Sequence, residues 1–217
     1  MSEKDKVAII TGGASGIGFA VGKALRARND WRIYLLDRDV EKGQAAADSI
    51  EAKFHEVDVS NYASLATAFA QIYAAHEKLS FVFANAGIAL DAKEQQAQVL
   101  VKTSNDPPAA LSVDMIAVNL HSVIFTTTLA QHYFRQCPVD SGPRSIVVTA
   151  SCSSFYASPI SPMYCASKHG VLGWTKSIAP SAWRQDRVSI NAVCPGIVRT
   201  NILPDEMYTV SLTPKAP

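Results

Sequence analysis

Apolar positions along this chain alternate between short solid runs and faces at helical spacing. Val7 to Ile10 is an apolar run with charge before it and glycines after it, as expected of a strand buried on both sides of a parallel sheet. Ile17, Val21, Ala24 and Leu25 follow at i, i+4, i+7 and i+8, which places them on one helix face. The alternation continues with a strand from Arg32 to Leu36, a helix from Val40 to Ile50, a strand from Phe54 to Val59, and a helical face at Leu65, Phe69, Ile72 and Tyr73. Beyond these the pattern predicts a strand from Leu79 to Ala84 and a long helix from about Ser112 to Phe134. A strand from Ser145 to Thr149, a helix from Tyr164 to Ala179 and a strand from Val188 to Val193 complete the series. Such alternation predicts an α/β fold with a doubly wound parallel sheet, because right-handed crossovers lay helices on both faces. Ligands of such sheets sit beyond the carboxyl ends of the strands, where strand order reverses.

Composition narrows the picture. With 217 residues, 48% hydrophobic and 18% charged, the chain suits one folded domain spanning residues 1–217. Lys plus Arg (20) nearly balances Asp plus Glu (19), and no dense basic run carries interleaved aromatics, so nucleic acid is not an expected partner. No apolar stretch reaches the roughly 18 to 20 residues of a membrane span. Cys137, Cys152, Cys165 and Cys194 lack C-x-x-C spacing, and the chain opens on the polar run Ser2 to Lys6; a reducing, cytoplasmic setting is expected. The histidines show no metal-ligand spacing, so no metal is expected.

Candidate chemistry begins at the first strand-to-helix turn. Gly12, Gly16 and Gly18, with Ser15 and Ile17 between them, form a G-x-x-x-G-x-G turn. Glycine lets the chain bend tightly and lets backbone N–H groups approach a pyrophosphate at the positive end of a helix. Asp37 closes the second strand, about 20 residues further on, where a carboxylate can accept hydrogen bonds from an adenosine ribose. That position favours NAD over NADP, since the carboxylate would repel a 2′-phosphate, although the adjacent Arg38 could pair with one.

Together with Asp58-Val59, Asn85-Ala86-Gly87, Asn119, Ser151, Tyr164-x-x-x-Lys168 and Pro195-Gly196, the turn resembles the short-chain dehydrogenase/reductase family in order and spacing. The segments Tyr164 to Gly170 and Asn191 to Gly196 are especially similar to the NAD-dependent hydroxyprostaglandin dehydrogenases of that family. The resemblance implies a Rossmann fold, an NAD cofactor, and catalysis by Asn119, Ser151, Tyr164 and Lys168. It further implies that Asp58 meets the adenine amino group and that Val59 offers a backbone contact beside it. Asn85 and Gly87 would pass the ribose and adenine, and Ile197 and Thr200 would flank the nicotinamide carboxamide. The expected activity is interconversion of a secondary alcohol and a ketone.

The chemistry can also be argued without the family. Oxidising an alcohol needs a base for the hydroxyl proton while the carbon gives up hydride, and reduction needs the same group as an acid. A tyrosine serving both directions near neutrality would need its pKa lowered by about 3, roughly 4 kcal/mol. Lys168 lies at i+4 from Tyr164, so both project from one helix face. One cation about 6 Å away supplies roughly 2.8 kcal/mol at an effective dielectric of 20. Ser151, thirteen positions before Tyr164, can hold the substrate oxygen against the phenol. Asn119 would, by the family resemblance, open its helix locally and hold a water linked to Lys168. Ser153 and Ser154 fit a loop or pocket wall.

The chain stops soon after Thr200, whereas the family usually continues into a substrate-covering segment and a last strand. The expectation is a sheet without that strand, a partial lid from Asn201 to Pro217, and an excursion near the pocket mouth between Gly87 and Asn119. An alternative reading makes the chain a nucleotide-binding regulatory or scaffolding module that has lost turnover. The helices bearing Asn119 and Tyr164 build dimer interfaces in the family, so a homo-oligomer is expected.

Overall fold

A computed structural model of the chain describes residues 6–89, 112–138, 142–159 and 161–200. Strands β1 (Lys6–Thr11), β2 (Trp31–Asp37), β3 (Lys53–Glu56), β4 (Phe81–Ala84), β5 (Arg144–Thr149) and β6 (Val188–Val193) form one sheet. Its order is β3-β2-β1-β4-β5-β6, and every pairing among the described residues is parallel. Strand order therefore reverses between β1 and β4, and the carboxyl ends of the strands that carry the candidate residues open onto that switch point.

The solid apolar runs become the inner strands because both of their faces are covered. Ile9, Leu36 and Val148 face a core shared with α3 (Tyr62–His76), α5 (Ser122–Gln136) and α6 (Pro162–Asp186). Ile10, Ile33 and Leu35 face the other way, toward α1 (Gly16–Arg26) and α2 (Val40–Ser49). Leu65, Phe69 and Ile72 are fully buried along α3, as their spacing predicts. Burying each such side chain contributes about 1.5–3 kcal/mol.

Several predicted boundaries shift for identifiable reasons. On α1 the buried positions are Gly18 and Gly22; Ile17, Val21 and Leu25 pack beside them, while Ala24 faces solvent. The helix approaches the sheet on its glycine ridge, so the apolar face is narrower than the spacing predicts. β3 ends at Glu56, and Val57 and Val59 enter the core from the loop that follows. α6 runs on through Pro180 to Asp186, where the sequence predicts an end at Ala179. Proline removes one N–H from the ladder, and packing of Ala182 into the core holds the helix beyond it. The predicted long helix is the short α4 (Asp114–Ile116), a π-helical turn (Ala117–His121) and α5 in continuous succession. β6 pairs with β5 on one side, with no further strand beyond it among the described residues. The expected partial lid and most of the expected excursion lie outside the described residues.

Candidate active site

The glycine turn is too tight for a side chain at Gly12 or Gly18. Gly12 and Gly16 have φ of +64° and +53°. A Cβ on Gly12 would lie 2.8 Å from the Ala86 Cα, and one on Gly18 only 2.2 Å from the Gly12 carbonyl oxygen. No side chain caps the N-terminus of α1, and its first turn holds no acidic residue. The first turn of the helix thus carries no capping side chain and no acidic residue of its own, which leaves its positive end open to a pyrophosphate.

This turn forms one end of a cleft of about 430 Å³ that crosses the carboxyl ends of β1, β4 and β5. Gly12, Ser15, Gly16 and Ile17 line it, as do Asp37 at the end of β2 and Arg38 just after it. The Asp37 carboxylate also braces the turn, accepting the Ala14 N–H at 3.1 Å and the Asp39 N–H at 3.2 Å. Ile197 and Thr200 close the same cleft, Thr200 standing 3.3 Å from where a Cβ on Gly16 would project. Gly18 lies buried under the turn.

Asp58 and Val59 stand apart from the lining. Asp58 is exposed and accepts both the N–H and the hydroxyl of Ser60, at 2.9 and 2.7 Å. Those bonds, with the Arg38 cation nearby, hold its carboxyl below the usual range. Val59 is buried in the core.

At the other end Ser151, Tyr164 and Lys168 converge, with Asn85 and Gly87 between the two ends. Ser151 caps a 3-10 turn (Cys152–Ser154), its Oγ accepting the Ser153 N–H at 3.1 Å. Lys168 is almost wholly buried; its Nζ donates to the Thr149 carbonyl at 2.8 Å and lies 5.8 Å from the Tyr164 ring centre. A Cβ on Gly87 would stand 3.2 Å from Asn119 Oδ1 and 3.7 Å from Lys168 Nζ, so both side chains close in on that glycine.

Asn119 lies within the π turn, fully buried. Its Oδ1 accepts the Ile88 N–H at 2.8 Å, and its Nδ2 donates to the Ile88 carbonyl at 2.9 Å and to Ser167 Oγ at 3.3 Å. The side chain therefore ties the loop after β4 to α6. A π turn of this kind interrupts the regular helical ladder, often at a functional site.

The electrostatics differ from the sequence expectation. Lys168 is expected to lower the Tyr164 phenol, yet burial pushes that phenol up, and a hydrogen bond donated by Ser151 offsets part of the rise. Burial likewise pushes the Lys168 ammonium down to about 8. The same loss of water drives both groups toward their neutral forms, because desolvation penalises whichever form carries charge.

Two hydroxyls contribute without a sequence signal. Ser154, buried, accepts the Ser151 N–H at 3.2 Å and donates to the Lys168 carbonyl at 2.8 Å, so it is more than a loop residue. Thr11 accepts the N–H groups of Asn85 and Ala86 at 3.0 and 3.2 Å, joining β1 to β4 at the base of the cleft. Among the four free cysteines Cys152 is exposed and lines the cleft, whereas Cys165 is buried. No His, Cys, Asp or Glu cluster that could hold a metal occurs among the described residues.

Comparisons with known proteins agree with this geometry. The family model described as "short chain dehydrogenase" matches residues 6–209. A short-chain dehydrogenase/reductase of Penicillium rubens, prx7, is 41% identical over 192 residues, covering 86% of this chain and 67% of that protein. The 15-hydroxyprostaglandin dehydrogenase [NAD(+)] of Macaca fascicularis is 29% identical over 212 residues, covering 94% of this chain and 72% of that protein. In fold, the chain is similar to a Burkholderia phymatum short-chain dehydrogenase/reductase crystallised with NAD, with a TM-score of 0.73 at 24% identity, covering 93% of this chain and 69% of that one. A glycine turn and a Ser–Tyr–Lys cluster facing one cleft, on a chain matched by the family model from β1 to beyond Thr200, identify it as a member of the short-chain dehydrogenase/reductase family of NAD(P)-dependent oxidoreductases.

Proposed function

We propose that this single domain binds NAD in the cleft and interconverts a secondary alcohol and a ketone, with Tyr164 as general acid and base. The observation that carries the reading is the convergence of Ser151, Tyr164 and Lys168 at one end of a cleft whose other end is the glycine turn and Asp37. Bound there, the nicotinamide dinucleotide supplies the hydride acceptor for oxidation or the donor for reduction.

Ser151 orients the substrate oxygen toward the phenol. Tyr164 takes the hydroxyl proton in oxidation and returns it in reduction. Lys168, beside the phenol, favours its ionised form whenever the ammonium is charged. Asn119 acts at one remove, since a water held where the π turn opens would link Lys168 to solvent. Asn85 and Gly87, which line the cleft, would face the ribose, whereas Asp58 and Val59 stand apart from the lining and would reach the adenine only through the Asp58 carboxylate and the Val59 backbone.

Two features favour NAD over NADP. The Asp37 carboxylate stands in the cleft where a 2′-phosphate would lie, and Arg38, the cation able to pair with such a phosphate, is already within electrostatic reach of Asp58 and Asp39. The reading includes a cytoplasmic setting, supported by four free cysteines, and a homo-oligomer assembled through the helices that carry Asn119 and Tyr164.

The test is Tyr164→Phe, assayed by nicotinamide absorbance against a panel of secondary alcohols and ketones. Turnover should fall by about 10²- to 10⁴-fold, the usual scale of general acid–base catalysis, while NAD binding by calorimetry stays within about threefold. An unchanged rate would remove Tyr164 from the role. Tighter binding of NADP than NAD would overturn the cofactor preference.

A further inference from the structure

One residue, through its hydroxyl and its backbone carbonyl, joins the glycine turn to the buried lysine. Thr149 is the last residue of β5, and its Oγ1 donates to Asn85 Oδ1 at 2.9 Å. Its carbonyl accepts from Lys168 Nζ at 2.8 Å. Asn85 in turn donates through Nδ2 to the Thr11 and Gly12 carbonyls, at 3.2 and 3.3 Å.

A carboxamide has one accepting and one donating end. Reversed, Asn85 would press its oxygen against two carbonyl oxygens of the turn, which can only accept. Those carbonyls therefore set its orientation, and the Thr149 hydroxyl, able to donate or accept, donates to the Oδ1 left facing it and completes the hold on the turn. Asn85 packs directly on the turn, since Cβ positions on Gly18 and Gly12 would stand 2.7 and 3.1 Å from its Nδ2.

We propose that Thr149 is a positioning residue that fixes the dinucleotide-binding turn through the Asn85 carboxamide while its backbone carbonyl holds the Lys168 ammonium. This rests on the dinucleotide reading of the cleft. Thr149→Val separates the two links, since it keeps the carbonyl and removes only the hydroxyl. Asn85 Oδ1 then loses its partner, and the carboxamide is free to turn away from the Thr11 and Gly12 carbonyls.

The experiment titrates the full chain with NADH, followed by nicotinamide fluorescence, alongside thermal melts of the same samples. T149V should weaken NADH binding about tenfold, the scale of one unpaired buried acceptor. T149S, which keeps the hydroxyl, should bind within about threefold of wild type. In an Asn85→Ala background T149V should add no further loss, because the two act through one contact. Equal NADH affinity in wild type and T149V overturns the proposal, even with a lowered melting temperature, as does a full additional loss on top of N85A. Where N85A does not fold, the comparison of T149V with T149S decides. Failure of the folded wild-type chain to bind NADH would instead remove the dinucleotide reading, and this inference with it.

Discussion

Lys168 shows how burial, charge and function compete at a single residue. Its ammonium is pushed down to about 8 from the usual 10.5 by burial. Below pH 8 both the folded and unfolded chains hold the proton, so the folded state bears the whole burial cost, about 3 kcal/mol for a displacement of that size. Between pH 8 and 10.5 only the unfolded chain retains it, so this contribution raises stability as pH rises. Lys168→Met should therefore stabilise the folded chain at pH 7 by about 2 kcal/mol, after allowing for the lost bond to Thr149. Urea unfolding across pH should show that gain shrinking above pH 8, vanishing at about 9.5 and levelling off as a small loss near 10.5; a pH-independent difference would contradict this account. The pairing of Tyr164 with Lys168 was legible from their i, i+4 spacing, whereas the upward push on the phenol was not, because depth below the surface leaves no mark on spacing. The hydroxyl of Thr149 was equally illegible, since its partner Asn85 is 64 positions away and only the sheet brings them together.

Among the elements, the face of α3 at Leu65, Phe69 and Ile72 was legible from its spacing, whereas the cap that starts the helix was not read from the sequence. Asn61 caps α3, its Oδ1 accepting the N–H groups of Ala63 and Ser64 at 2.9 and 3.2 Å. Asn61→Ala should cost about 1 kcal/mol in chemical denaturation, with little change in dinucleotide affinity because the residue lies outside the cleft. Where tertiary contacts decide, the pattern misled. Pro180 reads as a stop, yet α6 continues because Ala182 is buried beyond it. Ala24 reads as part of an apolar face, yet the packed ridge of α1 is Gly18 and Gly22, whose missing side chains let the helix approach the sheet. The π turn at Asn119 leaves no trace in apolar spacing; the family resemblance alone suggested an opening there.

For the molecule as a whole, alternation of strand and helix was enough to predict a parallel doubly wound sheet, and the reversal between β1 and β4 placed the cleft. Strand lengths were less legible, since Val57 and Val59 continue the apolar pattern of β3 after its pairing has ended. The core that anchors this architecture is concentrated on one side. Phe69, fully buried on α3, stacks on Tyr133 of α5 with ring centres 6.1 Å apart. Phe69→Ala should cost about 3–5 kcal/mol, a large share of the roughly 5–15 kcal/mol that holds a domain folded. A drop in denaturation midpoint at unchanged m-value would show it, and a cost under 1 kcal/mol would mean the two helices repack.

The placement of β1 between β2 and β4 also bears on how the chain is made. β2 leaves the ribosome soon after β1, but the strand that pairs with the other edge, joining Ile10 to Phe83, emerges only after α2, β3 and α3 have passed. During that interval an apolar strand edge stands open as a template for pairing with other chains. Translational pauses between β3 and β4 are accordingly the moments at which a nascent chain most needs chaperone cover, and at which overexpression most readily ends in aggregates.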